Sequence, residues 1–182
     1  MKVYFDGGSW TWGGELKNRE EERYSRLLCT KLNAEEHNVA TAGASNERIL
    51  RQLYENNINQ YDLVVIFMAP KNRCEYYDQK WKKMGIEHTA LWKPWKPKKT
   101  DPFWDYYYRH IYNDIYGSNQ EYIIKTAIEN HCKLYNVPLI IKTSDEIESM
   151  PLSRAKGGHP NEDGHQSIAT DLVTLLRQKN RQ

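Results

Sequence analysis

Residues 3–16 read VYFDGGSWTWGGEL, a short apolar strand that runs directly into Gly7, Gly8 and Ser9. Glycines beside a serine at the end of a strand leave its hydroxyl clear of the backbone, where it could meet a substrate. A surface turn uses the same residue types. The rest of the chain therefore has to decide between a reactive serine and a turn.

Further apolar runs bounded by turn residues predict the other strands. Asp62–Phe67 (DLVVIF) and Pro138–Lys142 (PLIIK) are continuous runs, typical of strands covered on both faces in a parallel sheet. Lys2–Phe5 is a further β-rich run that predicts a strand, and a weaker strand is predicted at His37–Thr41. Apolar residues at helical spacing predict the intervening helices at Glu20–Leu32, Asn46–Asn56, Asn119–Tyr135 and Glu162–Gln178. This alternation predicts an α/β fold with a mostly parallel sheet.

Candidate reactive groups follow these strands. Ligands of such sheets bind beyond the carboxyl ends of the strands, where Ser9, Gly43 and Asn72 should meet. His159 lies in GGHPN, a loop that precedes the last predicted helix. A serine hydroxyl is a weak nucleophile until a base accepts its proton, so Ser9 and His159 form a candidate nucleophile–base pair. His165, inside the last helix, is predicted to pack structurally, with the role of base as its alternative.

The segment GGSWTWGGEL, taken with the late HPNEDGHQSIA, resembles the first and last blocks of the SGNH (GDSL-type) hydrolases. The resemblance implies a flavodoxin-like three-layer α/β/α sandwich and a serine esterase that needs no cofactor. It assigns the nucleophile to Ser9 and the base to His159. It assigns the oxyanion hole to the backbone N–H groups of Ser9 and Gly43 and to the side chain of Asn72. It covers nearly the whole chain in block order and is strongest at the two ends.

The sequence departs from the family pattern at several positions. Gly8 stands where the family has aspartate, and no glycine precedes Asn72 in MAPKNRCEYY. The family's Asp-x-x-His is also missing, because Lys156 and Gly157 precede His159. Losing that carboxylate costs about 10⁴ in rate in a Ser-His-Asp site. Either another carboxylate or a backbone carbonyl holds His159, or the enzyme works as a dyad, or catalysis has decayed and the scaffold only binds a ligand.

Residues 73–118 interrupt the alternation with an aromatic and basic segment that contains KPWKPKK. We expect this insertion to overhang the Ser9 crevice, either as a lid alone or as a platform that stacks on sugars or bases. Substrate contacts are expected from six residues: Trp10, Asn46, Arg73, Glu75, Trp92 and Trp95. On a decayed scaffold the segment would instead hold nucleic acid or an anionic glycan through four lysines: Lys93, Lys96, Lys98 and Lys99.

Length, charge and cysteine content bear on the number of domains, the kinds of partner and the compartment of the protein. A chain of 182 residues predicts one domain, 1–182, and a net charge of +2 does not predict a nucleic-acid-binding protein as a whole. Three cysteines without CxxC spacing predict free thiols in a reducing compartment. No histidine spacing predicts a metal site, and no run approaches the ~20 apolar residues of a membrane span. We therefore expect a cytoplasmic esterase that acts on a small-molecule or carbohydrate ester, with the oligomeric state left open.

Overall fold

The computed structural model describes residues 1–78, 83–87 and 106–179. The strands are β1 (Lys2–Gly7), β2 (Glu35–Asn38), β3 (Leu63–Phe67), β4 (Cys74–Asp78), β5 (Lys83–Glu87) and β6 (Leu139–Lys142). The helices are α1 (Ser9–Trp12), α2 (Arg19–Glu22), α3 (Tyr24–Leu32), α4 (Asn46–Glu55), α5 (Asp114–Leu134), α6 (Ser144–Glu148) and α7 (Glu162–Lys179). A 3₁₀ turn spans Ile58–Gln60 and a π-helical turn spans Tyr107–Ile111. The expected contacts of Trp92, Trp95, Lys93, Lys96, Lys98 and Lys99 lie outside the described residues.

The main sheet has four strands in the order β2-β1-β3-β6, and all neighbours are parallel. The chain moves outward from β1 to β2 and then returns to the other side of β1 to form β3. The carboxyl end of β1 is therefore a topological switch point, where crevices form in sheets of this type. Ser9 is the second residue after β1 and lies at this point.

Alternating side chains of the central strands fill two separate cores. On one face, Phe5 and Val65 pack with Leu28 of α3 and Leu172 of α7. On the other face, Tyr4, Val64 and Ile66 pack with two isoleucines and a leucine of α4 and α5: Ile49, Leu53 and Ile128. The helices thus cover both faces of the sheet, as the continuous apolar runs predicted. None of the helices within 1–78 and 106–179 is long and apolar enough to cross a membrane.

The second strand was predicted two residues too late. The structure places β2 at Glu35–Asn38, whereas the sequence indicated His37–Thr41. Glu36 has a low strand propensity, yet its side chain is buried because Arg23 Nε donates to Oε1 over 2.9 Å. Such a partner, 13 residues away in the sequence, is invisible to a local reading.

Two helix boundaries also differ from the prediction. The helix predicted at Glu20–Leu32 is broken at Arg23, whose backbone is extended (φ −66°, ψ 145°) between α2 and α3. Helix α5 begins at Asp114, five residues before the predicted start, with Asn113 as its N-cap. The interruption of the α/β alternation therefore ends near residue 113 and not at residue 118. Within it, β4 and β5 form an antiparallel hairpin apart from the main sheet.

Candidate active site

Ser9 and His159 lie together, although 150 residues separate them in the sequence. Ser9 begins α1 directly after the switch point, and His159 lies on the loop before α7. The distance from His159 Nε2 to Ser9 Oγ is 2.8 Å, a hydrogen-bond length. The structure therefore brings the predicted nucleophile and base into contact in the geometry that proton transfer needs.

Glu15 holds the other side of the imidazole, a contact that the sequence analysis did not identify. Its Oε2 lies 2.7 Å from His159 Nδ1. The same carboxylate accepts backbone hydrogen bonds from the N–H of Gly157 at 2.8 Å and of His159 at 3.2 Å. Hydrogen bonding from His159 and these backbone groups holds the pKa of Glu15 below its usual range. An ionised acceptor at Nδ1 leaves Nε2 free to accept the Ser9 proton.

The backbone around Glu15 is shaped to make this contact. Gly13 ends α1 in the left-handed region with φ 89°, and Glu15 is itself left-handed with φ 68°. A left-handed non-glycine residue costs on the order of 1 kcal/mol and persists only where its surroundings hold it. The three hydrogen bonds to the carboxylate provide that restraint.

Gly157 makes room for the Glu15 carboxylate beside this loop. A Cβ at residue 157 would lie 2.5 Å from both carboxylate oxygens of Glu15, closer than real contacts allow. Gly14 makes similar room, because a Cβ there would lie 3.2 Å from His159 Cδ2. The glycines on both sides of the site admit a carboxylate that comes from the first block of the chain and not from the last. In the sequence, the feature that could have identified this carboxylate is the glutamate at position 15, directly after Trp12-Gly13-Gly14.

Ser9 and His159 open into a cavity of about 490 Å³. Its described lining includes apolar side chains of β3, α6 and the loop after β3, namely Phe67, Met68, Pro70 and Ile147. Charged side chains also line it: Arg73, Glu148 and Arg154. Trp10 forms one wall, with the Arg154 guanidinium 4.7 Å from the centre of its ring. The structure therefore places Trp10 and Arg73 at the cavity, where substrate contacts were expected.

Asn46 and Glu75, which were also predicted to contact the substrate, are bonded within the fold. The Asn46 amide is buried and bonds both backbone groups of Ala69, at 2.8 and 3.0 Å. Glu75 is buried in an ion pair with Arg51 at 2.7 Å. Each meets a local bonding demand of the fold, and neither is among the described residues that line the cavity.

The two remaining oxyanion candidates lie near the cavity without lining it among the described residues. Gly43 is buried and left-handed (φ 79°), in a loop that Arg48 holds by donating to Val39 O at 2.6 Å and Asp6 at 2.9 Å. The backbone carbonyl of Asn72 accepts a hydrogen bond from the Tyr108 hydroxyl at 3.0 Å. The next residue, Arg73, is the one that faces the cavity.

His165 is fully buried and makes a structural contact. Its Nδ1 accepts the backbone N–H of Tyr24 at 3.1 Å, and its ring stacks on the Tyr24 ring. Burial, with a smaller contribution from the charge of His159, lowers the pKa of His165 to about 4. The structural role predicted for His165 fits this placement, and Ser9 has His159 as its partner. Among the described residues, no group of three or more His, Cys, Asp or Glu side chains is placed to hold a metal ion.

We expect His165 to make the fold sensitive to acid. Its folded pKa lies below the unfolded value of 6.5, so its contribution to stability is present above pH 6.5 and is lost as the pH falls towards 4. The loss is about 3 kcal/mol at most, at 1.36 kcal/mol for each unit of the difference. Urea unfolding at pH 7, 5.5 and 4 measures the free energy of unfolding, which should fall less with decreasing pH for His165→Asn than for the wild type. Parallel curves for the two proteins would contradict this.

Comparison with known proteins places this geometry in context. No protein-family model matches the sequence, and no curated protein matches it. The structure is similar to that of the psychrotrophic esterase EstA from Pseudoalteromonas sp., with a TM-score of 0.52 and 14% identity over 100% of this chain and 99% of that chain. The acetyl xylan esterase Est2A from the rumen bacterium Butyrivibrio proteoclasticus gives a TM-score of 0.49 at 15% identity over 98% of this chain. This chain spans 64% of the Est2A chain.

At these identities the likeness concerns the fold. The parallel sheet, its two helical layers and the full-length match to EstA agree with the flavodoxin-like α/β/α architecture expected from the sequence. The predicted fold class is therefore confirmed: the protein is an α/β/α sandwich around a parallel sheet, and it shares this fold with EstA.

Proposed function

We propose that this protein is an SGNH-type serine esterase in which Ser9 is the nucleophile, His159 the base and Glu15 the positioning carboxylate. The observation that carries this proposal is the continuous chain of contacts from Ser9 Oγ to His159 Nε2 (2.8 Å) and from His159 Nδ1 to Glu15 Oε2 (2.7 Å). This is the arrangement of a Ser-His-acid triad, which is recognised by geometry and not by sequence order.

The reaction follows from the positions of the protons. Ser9 Oγ attacks the acyl carbon while His159 Nε2 takes the hydroxyl proton, and Glu15 stabilises the imidazolium that forms. When the tetrahedral intermediate collapses, Nε2 returns the proton to the leaving alcohol. His159 then takes a proton from water, whose oxygen attacks the acyl carbon on Ser9. When this second tetrahedral intermediate collapses, Nε2 returns the proton to Ser9 Oγ and the carboxylic acid leaves. The free enzyme is regenerated without a cofactor.

Backbone amides can stabilise the oxyanion of both intermediates. Because Ser9 begins α1, its N–H belongs to the first turn, whose amides have no partner within the helix. The N–H of Gly43 is the second donor in this proposal, on the loop beside the carboxyl end of β1. Losing a single such donor typically costs about 10²–10³ in rate.

The cavity supports a polar ester as substrate. Its volume of about 490 Å³ is within the range of sites for small organic ligands, so the alcohol part as well as the acyl group has room to enter. Three charged side chains, Arg73, Glu148 and Arg154, line its wall, and a long acyl chain packed against them would displace water from these charges at a cost in free energy. We therefore infer an O-acyl group on a polar acceptor such as a sugar or a nucleotide.

The alternative, a decayed scaffold that only binds a ligand, rested on the missing aspartate and on the imperfect third block around Asn72. Glu15 offers a carboxylate to Nδ1 of His159, so the first of these reasons no longer favours decay. The lysines that would bind an anionic polymer lie outside the described residues. No contact in the described part of the chain favours this second function.

The proposal is tested first by reaction with a fluorophosphonate, read by intact mass. Fluorophosphonates phosphonylate an activated serine, and the EstA structure is described as inhibited by monoethylphosphonate. We expect one adduct on the wild type, located at Ser9 by peptide mapping, and none on Ser9→Ala or His159→Ala. The control is Ser167→Ala, an exposed serine on α7, which should label fully. A folded wild-type protein that takes up no label would contradict the proposal.

A further inference from the structure

Arg73 lines the Ser9 cavity and has few partners there to balance its positive charge. Its guanidinium makes one hydrogen bond with the described residues, from Nη1 to the backbone carbonyl of Ala44 at 3.3 Å, and no ion pair with them. Burial lowers the pKa of Arg73, and the charge of Glu148, which also lines the cavity, partly opposes this. A half-buried cation that forms no ion pair with the described residues is costly, which indicates that an anion comes to it during function.

The guanidinium lies between the two loops that carry the candidate oxyanion donors. Ala44, which accepts its hydrogen bond, directly follows Gly43. Gly8, which directly precedes Ser9, has Nη1 3.3 Å from the position that a Cβ would occupy. Arg73 is therefore adjacent to both donor residues. The absence of a side chain at position 8, where the family has aspartate, admits the guanidinium to this place.

We propose that Arg73 is a catalytic residue that supplies the third contact to the oxyanion, in place of the asparagine side chain expected at Asn72. This inference rests on the proposed esterase function. During attack by Ser9, the electron pair of the ester carbonyl moves to its oxygen, and the resulting negative charge meets the guanidinium beside the N–H groups of Ser9 and Gly43. The proton taken from Ser9 stays on His159, so the new charge pair is formed within the site.

A charged donor suits this site better than an amide. A hydrogen bond from an ionised donor is about twice as strong as a neutral one. The interaction is also differential, because the ester carbonyl is neutral in the ground state and anionic in the intermediate. Arg73 should therefore accelerate the chemical step, with little effect on the binding of a neutral ester.

The test compares Arg73→Gln with wild type on the neutral ester p-nitrophenyl acetate. Glutamine keeps a hydrogen-bond donor and removes the charge. We expect kcat to fall by about 10²–10³ with KM within threefold of wild type, the size of effect seen when one oxyanion donor is removed. Fluorophosphonate labelling at Ser9 should slow by a similar factor, because that reaction also develops an anionic oxygen. Lys71→Gln is the matched control. It removes one positive charge two residues before Arg73, from a side chain that donates to the Ser118 hydroxyl.

Gly8→Ala gives a second test, in which residue 73 is still an arginine. The backbone at Gly8 (φ −85°, ψ −154°) is open to alanine, so the new methyl group acts mainly by displacing Nη1. We expect a loss of kcat in Gly8→Ala and little additional loss when it is combined with Arg73→Gln. Such non-additivity indicates that both changes remove the same interaction.

Two results would overturn the inference. In the first, Arg73→Gln raises KM for esters with a negative charge and leaves kcat for the neutral ester unchanged, which would make Arg73 a counter-ion for the substrate. In the second, Asn72→Ala loses 10²-fold in kcat while Arg73→Gln and Gly8→Ala lose less than fivefold, which would return the role to Asn72. Both require a wild type that labels at Ser9. A wild type without label contradicts the esterase function itself.

Discussion

Ser9→Ala is expected to reduce kcat for a simple acetyl ester by about 10⁴–10⁶ with little change in KM, as in other triads that lose their nucleophile. The hydroxyl that would form the acyl-enzyme is absent, whereas the cavity and the oxyanion donors remain. His159→Ala should cost a similar factor, because Ser9 Oγ then has no base at 2.8 Å. The measurement is the initial rate of p-nitrophenyl acetate hydrolysis for the purified proteins.

The double variant Ser9→Ala/His159→Ala should be no slower than either single variant, because the two groups act as one unit. Residual catalysis then comes from the oxyanion donors. Additive losses, or a Ser9→Ala variant as fast as the Ser167→Ala control, would mean that the two side chains do not share the reaction. Circular dichroism should show all variants folded, since Ser9 and His159 are outside both hydrophobic clusters.

Glu15→Gln is expected to reduce kcat by about 10²–10⁴, up to the cost of an amide in place of the triad carboxylate. The amide keeps the shape of the side chain and removes the negative charge that stabilises the His159 imidazolium. Its NH₂ group would also face a backbone N–H of the 157–159 loop, at Gly157 or at His159, where the carboxylate accepts a bond from each. KM should change little, because Glu15 is not among the described residues that line the cavity.

The pH profile separates this positioning role from a structural one. Hydrogen bonds from His159 and from the backbone of its loop hold the pKa of Glu15 below its usual range, so the carboxylate stays ionised down to low pH. Glu15→Gln should therefore lower kcat/KM by a similar factor at every pH at which the protein is folded, whereas a purely structural role would lower it mainly where the variant unfolds. Rates of wild type and Glu15→Gln between pH 4 and 9 test this directly.

Gly157→Ala should reproduce the loss of kcat while residue 15 remains a glutamate. Its methyl group would lie 2.5 Å from the Glu15 carboxylate and would displace that carboxylate from His159. Glu21→Gln is the matched control, an exposed carboxylate on α2. The role of Glu15 would be refuted if Glu15→Gln and Glu21→Gln were equally active, or if Glu15→Gln lost activity only in proportion to unfolded protein.

Patterning within short segments was sufficient for the architecture. DLVVIF and PLIIK became β3 and β6 within one residue of their predicted bounds, because a strand covered on both faces needs an uninterrupted apolar run. The helix predicted at Asn46–Asn56 was found at Asn46–Glu55, with Ser45 as its cap. The errors at β2 and α5 arose where distant partners or caps decided the boundary, as with Glu36 and Arg23.

By itself, the sequence determined the layered α/β fold and the choice of Ser9 and His159, because strand periodicity and glycine-flanked loops are local features. Only the tertiary structure decided which carboxylate serves His159 and which cation faces Ser9. Glu15 and His159 are 144 residues apart, and Arg73 reaches Ala44 across 29 residues. Hydrogen bonds of this kind depend on how separate loops meet at the end of a sheet. The spacing of residues along the chain does not predict these contacts. The structure shows them directly, in the close approach of the Arg73 guanidinium to Gly8 and of the Glu15 carboxylate to Gly157.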